Sequence, residues 1–336
     1  MKSYAIWFKK IDKTSSNIPE LNVHINLWRL PRKRNKLLKL LNISDNTRLL
    51  LDFGLKVSNI SNVDEIKLYL PYKITKDNII DLGELFLKHT NLIIGVFNED
   101  YTIEIGTEPK QILINKGKSD EFIIYLLDIR NEDCSIEDKF EGSLISIKIP
   151  EELKSNHKKI YYRFRINTPA LKNMVKTIKA SSIFESALSY TEVVDLRFNE
   201  KRLYERSMSE QVKDEGEFKI PKLHFLLMTN AQDEVISNGE RYSCRQLEDI
   251  WNNYTQDEYN LENVLAYHWK EEDVSSHNSL VKIKTHRSTL TKAIIYLLAL
   301  GVVSVFYNLV TEPIKDYITG PIVSLFKNLI TNRAGN

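Results

Sequence analysis

The chain has 336 residues, 42% hydrophobic and 27% charged, a balance that suits one large or two ordinary globular domains and excludes a disordered chain. Forty-seven Lys and Arg stand against 45 Asp and Glu, so there is no overall basic field of the kind that marks nucleic-acid binding, and nucleic acid is not an expected partner. Cys134 and Cys244 lack the paired spacing of a zinc site or a disulfide framework, which fits a reducing compartment.

The opening MKSYAIWFKKIDK has too short an apolar run for a signal-peptide core, so an exported body is not expected. Strands are predicted at Tyr4 to Ile11 and Val23 to Leu30. A basic run follows, Arg32-Lys33-Arg34-Asn35-Lys36, next to Trp28 and ahead of Lys39. It suits three uses: contact with phosphates and a stacked base, contact with an anionic leaflet, or a plain solvated loop.

From Arg48 to Asn167 the pattern mostly alternates with period two. In KIYYRFRIN, residues Ile160, Tyr162, Phe164 and Ile166 share one face, and Tyr161, Arg163, Arg165 and Asn167 share the other. Ile66 to Leu70, Ile103 to Ile105, Ile112 to Ile114 and Ile145 to Ile149 alternate in the same way. With Arg48 to Val57, Leu92 to Phe97 and Phe122 to Leu127 added, about eight short strands separated by turn residues predict a mainly β fold, an antiparallel β-sandwich over residues 1–168. One helical stripe, Ile79 to Lys88, interrupts them.

After Pro169 the texture becomes mixed. Leu171 to Ser189 reads as weakly helical, Thr191 to Phe198 as a strand, and Leu223 to Met228 as an apolar strand. Leu247, Ile250, Trp251 and Tyr254 have helical spacing behind Ser243 as cap, and Val264 to Trp269 is a short strand. Residues 169–288 are therefore expected to form an α+β, membrane-proximal region.

The densest polar set is Asp195, Arg197, Asn199, Glu200, Arg202 and Arg206. Asp195 and Arg197 lie two apart on a strand and share its polar face, so they and Arg202 are candidate contacts for an anionic or polar ligand; a solvated ion pair is the alternative. Asn230, at the exit of the strand that His224 opens, is a further ligand candidate, while His224 itself reads as a core or edge histidine. Tyr267-His268-Trp269 reads as an aromatic patch. The seven histidines show no HxxxH or HExxH spacing, and GxGxxG, GxxxxGK[ST] and GxSxG are absent, so no metal, cofactor or catalytic residue is expected.

Ala293 to Thr311 is the longest uncharged run. Nineteen residues at about 1.5 Å rise span roughly 28 Å, close to the hydrocarbon thickness of a bilayer. Lys282, Lys284, His286, Arg287 and Lys292 crowd its N-terminal flank, which predicts a single-pass segment with the body in the cytoplasm. Gly301, Ser304, Asn308 and Thr311 fall on one helical face, a pattern that favours self-association in lipid. Beyond Pro313, Ile318, Ile322, Leu325 and Leu329 recur at helical spacing and suit a short interfacial helix or a disordered tail within the segment 289–336.

In layout, a β-rich body ahead of one C-terminal span, the chain is similar to membrane-targeting effectors of bacterial immune systems. That resemblance implies a cytosolic sensing domain coupled to the membrane, and hence a part in antiviral defence. The expected function is a membrane-anchored sensor, adaptor or effector that binds a protein partner or small ligand through its body and oligomerises or perturbs the membrane through its C-terminal helix. The alternatives are a membrane-bound enzyme with a site in 170–280 and a structural subunit of a membrane complex.

Overall fold

The computed structural model describes residues 2–31, 47–106, 110–117, 119–131, 133–156, 159–178, 189–237, 241–256, 259, 261–286, 289–314 and 320–333. The basic run 32–36, Lys39 and much of the stretch 171–189 lie outside them. Two compact units are distinguished: Met1–Lys179 with Thr191–Thr285, and Ala180–Tyr190 with His286–Asn336.

The first unit is mainly β. Its elements run β1 (Ala5–Lys10), β2 (Glu20–Pro31), β3 (Thr47–Ser58), β4 (Val63–Leu70), β5 (Ile79–Asp81), α1 (Gly83–Lys88), α2 (Asn91–Phe97), β6 (Thr102–Ile105), β7 (Gln111–Lys116), β8 (Ser119–Tyr125), β9 (Cys134–Lys139), β10 (Gly142–Lys148), α3 (Glu151–Asn156) and β11 (Lys159–Ile166). They continue with β12 (Val175–Ile178), β13 (Ser189–Phe198), α4 (Arg206–Glu215), β14 (Ile220–Asn230), β15 (Glu234–Ser237), β16 (Ser243–Gln246), α5 (Ile250–Tyr254), β17 (Val264–Val274) and β18 (His277–His286).

One large sheet has the order β16-β17-β14-β2-β3-β11-β8-β7-β6, with β5 also paired to β11. Two four-stranded sheets, β1-β4-β10-β9 and β12-β13-β18-β15, complete the unit. In the large sheet pairing is antiparallel except where β2 meets β14 and β8 meets β11, which are parallel. Strands from both sides of residue 169 thus share the large sheet.

Alternation explains how the sheets face each other. Val23, Ile25 and Leu27 of β2, Phe53 and Leu55 of β3, Phe164 of β11 and Phe225 of β14 bury one face of the large sheet. That face packs in one core with Ile66 and Leu68 of β4, Ile147 of β10 and Leu196 of β13. The opposite face carries a second core, where Trp28, Leu50, Tyr161 and Met228 lie among Phe86, Ile93, Trp251 and Tyr254 of the short helices. With both faces covered, the β11 strand is buried throughout rather than half-buried.

Four of the sequence readings are changed. Ile79–Asp81, read as the start of a helix, is strand β5 paired to β11, and the helix begins only at Gly83. Leu92 to Phe97 is helix α2, not a strand: a short apolar run has no period to decide between the two, and here Leu92 and Ile93 are buried on one helical side. Ser243–Gln246 pairs with β17, so the helix begins only at Ile250 with Asp249 as cap. Leu171 belongs to a 3-10 helix, Pro169–Met174, that runs into β12.

The second unit holds α6 (Thr289–Ile314) and α7 (Gly320–Arg333). Within α6, Ile294–Thr311 has mean hydropathy 2.1 and is entirely unburied, long and apolar enough to cross a membrane. Helix α7 carries Ile322, Leu325 and Leu329 of the tail, while Ile318 lies outside the described residues.

Candidate functional site

The second face of the large sheet changes character along its strands. Toward one end it is apolar and lies under the helices; toward the other the same alternation places Asn22, His24 and Asn26 on β2, Lys56 on β3, and Lys222 and His224 on β14. Register sets these strands side by side. His24 faces Gly54 and His224, Gly54 faces Arg163, and His224 faces Lys270, so one row across five strands reads Arg163, Gly54, His24, His224, Lys270. The end of α2 and the start of α5 wall this row, and a cleft of about 500 Å³ results. That volume falls within the range of small-molecule sites.

Charge in the cleft is one-sided. Among the described residues Lys56, Arg163, Lys222, Arg245 and Lys270 line it, against the single carboxylate of Glu99. Arg245 pairs with Glu248 at 3.0 Å and Lys270 with Glu272 at 2.6 Å. Lys56 instead sits over the Phe122 ring, 3.8 Å from its centroid.

The floor is preorganised around Arg163, which is 1% exposed. Its Nε donates to Tyr254 Oη at 2.6 Å and its Nη1 to Tyr161 Oη at 2.8 Å. With its amide turned so that oxygen faces the guanidinium, Asn26 accepts from Nη2 at 2.6 Å. All three acceptors are neutral. In the next row the fully buried Asp52 accepts from Arg165 at 2.7 and 3.1 Å, from Trp28 Nε1 at 2.7 Å and from Tyr254 Oη at 2.8 Å. Arg165 thus takes the carboxylate directly while Arg163 reaches it only through Tyr254, leaving an excess positive charge at the cleft floor. Gly54 makes this possible, because a side chain there would collide with Tyr161 Oη and Arg163 Nη1.

Three imidazoles meet here, His24 and His224 within the row and His268 two residues along β17 from Lys270. His224 Nδ1 lies 2.9 Å from His268 Nε2 with the rings stacked, and His24 meets His224 edge to face at 4.9 Å. Burial, then the neighbouring His268 and lysines, push His224 down to about 4. Burial and the same positive surroundings hold His24 well below the ordinary value, and burial with Arg245 and Lys270 lowers His268. Burial and Lys159 bring Lys56 down to about 8. Each base here resists its proton first because it is buried and then because its neighbours are mostly cationic, and an incoming anion favours the charged form. Among the described residues no group of three or more His, Cys, Asp and Glu could hold a metal ion.

The residues singled out from sequence lie elsewhere. Arg197 donates both arms to Asp195 at 2.9 and 2.8 Å, Arg202 does the same to Glu200, and the Asn230 side chain accepts from the Gln232 N–H at 2.8 Å in a turn. None of these four lines the cleft. Gly301, Ser304 and Asn308 are exposed along α6, and Thr311 Oγ1 donates back to the Tyr307 carbonyl at 2.6 Å. The cleft residues His24, His224, His268, Lys56 and Arg163 left one trace in the sequence: polar side chains on the alternate positions of strands whose other positions are uniformly apolar.

No protein-family model and no curated protein sequence matches the chain. Among solved structures it resembles an M1 zinc metallopeptidase from Deinococcus radiodurans, at 8% identity and TM-score 0.28, over 79% of this chain and 41% of the peptidase. A mutant of that peptidase bound to a Tyr-ser-ala substrate gives 7% and 0.28, over 79% and 42%. The chain thus spans less than half the length of these structures. A likeness at this level carries no argument about activity.

Proposed function

We propose that this protein is a membrane-anchored receptor whose β-rich body binds a small polyanion in the basic cleft. The observation that carries the reading is the convergence of five cations, one of them fully buried and bonded to neutral acceptors, on a cleft whose described lining holds one carboxylate. Leaving a buried charge without a counter-ion is costly, and a bound anion supplies one. In the same reading α6 anchors the protein, the Lys and Arg ahead of it keep the body in the cytoplasm, and the Gly301 face associates with a second copy. Sensor, adaptor and effector are the roles this layout serves.

Two measurements test it. Alkaline carbonate should leave the full chain in the membrane fraction, and the detergent-extracted protein should run larger than one chain; release by carbonate would overturn the anchor. Calorimetry on the extracted protein should then show saturable pyrophosphate binding that weakens with added salt. Absence of binding by pyrophosphate and by larger phosphate-bearing anions would overturn the receptor reading.

The hydrogen-bonded His224 and His268 favour a second reading, an enzyme that moves protons on a phosphate-bearing substrate in the same cleft. Mass spectrometry of a bound anion before and after incubation separates the two, since a receptor returns it unchanged.

A further inference from the structure

We propose that the cleft's occupant is a nucleotide, with phosphate at the cationic row and base against the aromatic wall. The inference rests on the receptor reading above and adds what the rest of the cleft is for. A cavity of about 500 Å³ holds far more than a phosphate group, and the wall opposite the lysines is aromatic: Phe97 at the end of α2, Tyr101 just beyond it, and Trp251 on α5. Of these rings Phe97 borders the charged groups directly, while Trp251 is nearly buried. The Phe97 centroid lies 5.9 Å from Lys56 Nζ and 5.9 Å from the His24 ring. Cations along the backbone path and flat rings for bases are the general means of holding nucleotides without reference to fold.

The amides point the same way. A phosphate or polyphosphate presents oxygens that accept hydrogen bonds, so a site built only for it needs donors. Asn22 lines this cleft with a buried carbonyl oxygen that has no partner among the described residues, an acceptor in an otherwise donor-rich site. Asn98, held left-handed at φ 53° where α2 ends, brings a second amide to the same wall. Exocyclic amino and ring N–H groups of a base are donors that match such acceptors; sugar phosphates and inositol phosphates offer no ring face to stack.

The test uses the full chain in detergent and compares a panel of mono- and dinucleotides with ribose 5-phosphate, pyrophosphate and a soluble inositol phosphate. At least one nucleotide should bind ten-fold or more tighter than ribose 5-phosphate. Tyr101→Leu should weaken that nucleotide at least about five-fold while leaving pyrophosphate unchanged, whereas Lys56→Gln should weaken both. If Tyr101→Leu also loses pyrophosphate, Phe97→Leu is judged by the same criterion. Equal binding of nucleotides and ribose 5-phosphate, or tighter binding of the inositol phosphate, overturns the nucleotide assignment and leaves the receptor reading standing. Binding of nothing in the panel overturns both.

Discussion

Lys56→Gln is expected to weaken pyrophosphate binding by roughly 10- to 100-fold at pH 7, the effect of losing one charge-assisted contact in a partly desolvated site. The pH dependence identifies the group. Lys56 holds its proton only up to about pH 8 in the folded protein, against an ordinary value of 10.5. Its charge is therefore present for an anion below pH 8 and lost as pH rises through it. Relative to the Gln variant, which cancels the titration of pyrophosphate itself, wild-type affinity should fall by up to ten-fold per pH unit above about 8. Stability without ligand runs the other way. Between about 8 and 10.5 the unfolded chain binds the Lys56 proton and the folded one does not, so this residue makes stability rise with pH in that window. A second limb belongs to the imidazoles: His224, at about 4, stays neutral until well below pH 7, so affinity should rise again as pH falls toward that value. Calorimetry at several pH values and in buffers of different ionisation heat reads both limbs as proton uptake. An affinity independent of pH from 5 to 10 would show that neither group faces the anion.

Much of the fold was legible because burial follows period. The two faces of KIYYRFRIN were read with their residues, since strict alternation survives whatever covers each face, and the uncharged length of Ala293 to Thr311 sufficed for α6. Where the period is ambiguous the reading failed: Leu92 to Phe97 suits strand or helix, and only packing against the second core selects helix. The cleft was hidden for a different reason. His24, His224 and His268 are distant in sequence, and their meeting depends on the parallel register of β2 with β14 and the antiparallel register of β14 with β17. Nothing local encodes that register. Sequence proximity drew attention instead to Asp195 with Arg197 and to Glu200 with Arg202, pairs two residues apart that satisfy each other.

Asp52→Asn should be the most destabilising conservative change in the body. The substitution keeps the shape but removes the one carboxylate that, among the described residues, bonds the buried polar cluster of Trp28, Arg163, Arg165 and Tyr254, taking the counter-charge from two guanidiniums. Removing one partner from a buried ion pair typically costs about 3–5 kcal/mol, because the remaining charge stays desolvated. For a body of this size that corresponds to a fall in melting temperature on the order of 10 °C, measurable by the fluorescence of the detergent-solubilised full chain on heating. Pyrophosphate supplies a sharper readout. If the excess positive charge at the cleft floor is what an anion neutralises, the variant, with more such charge, should gain more thermal stability from saturating pyrophosphate than the wild type does. Melting within about 2 °C of wild type would mean the cluster is not a desolvated ion pair. An equal or smaller gain with pyrophosphate would separate Arg163 and Arg165 from the anion and confine its binding to the lysines at the rim.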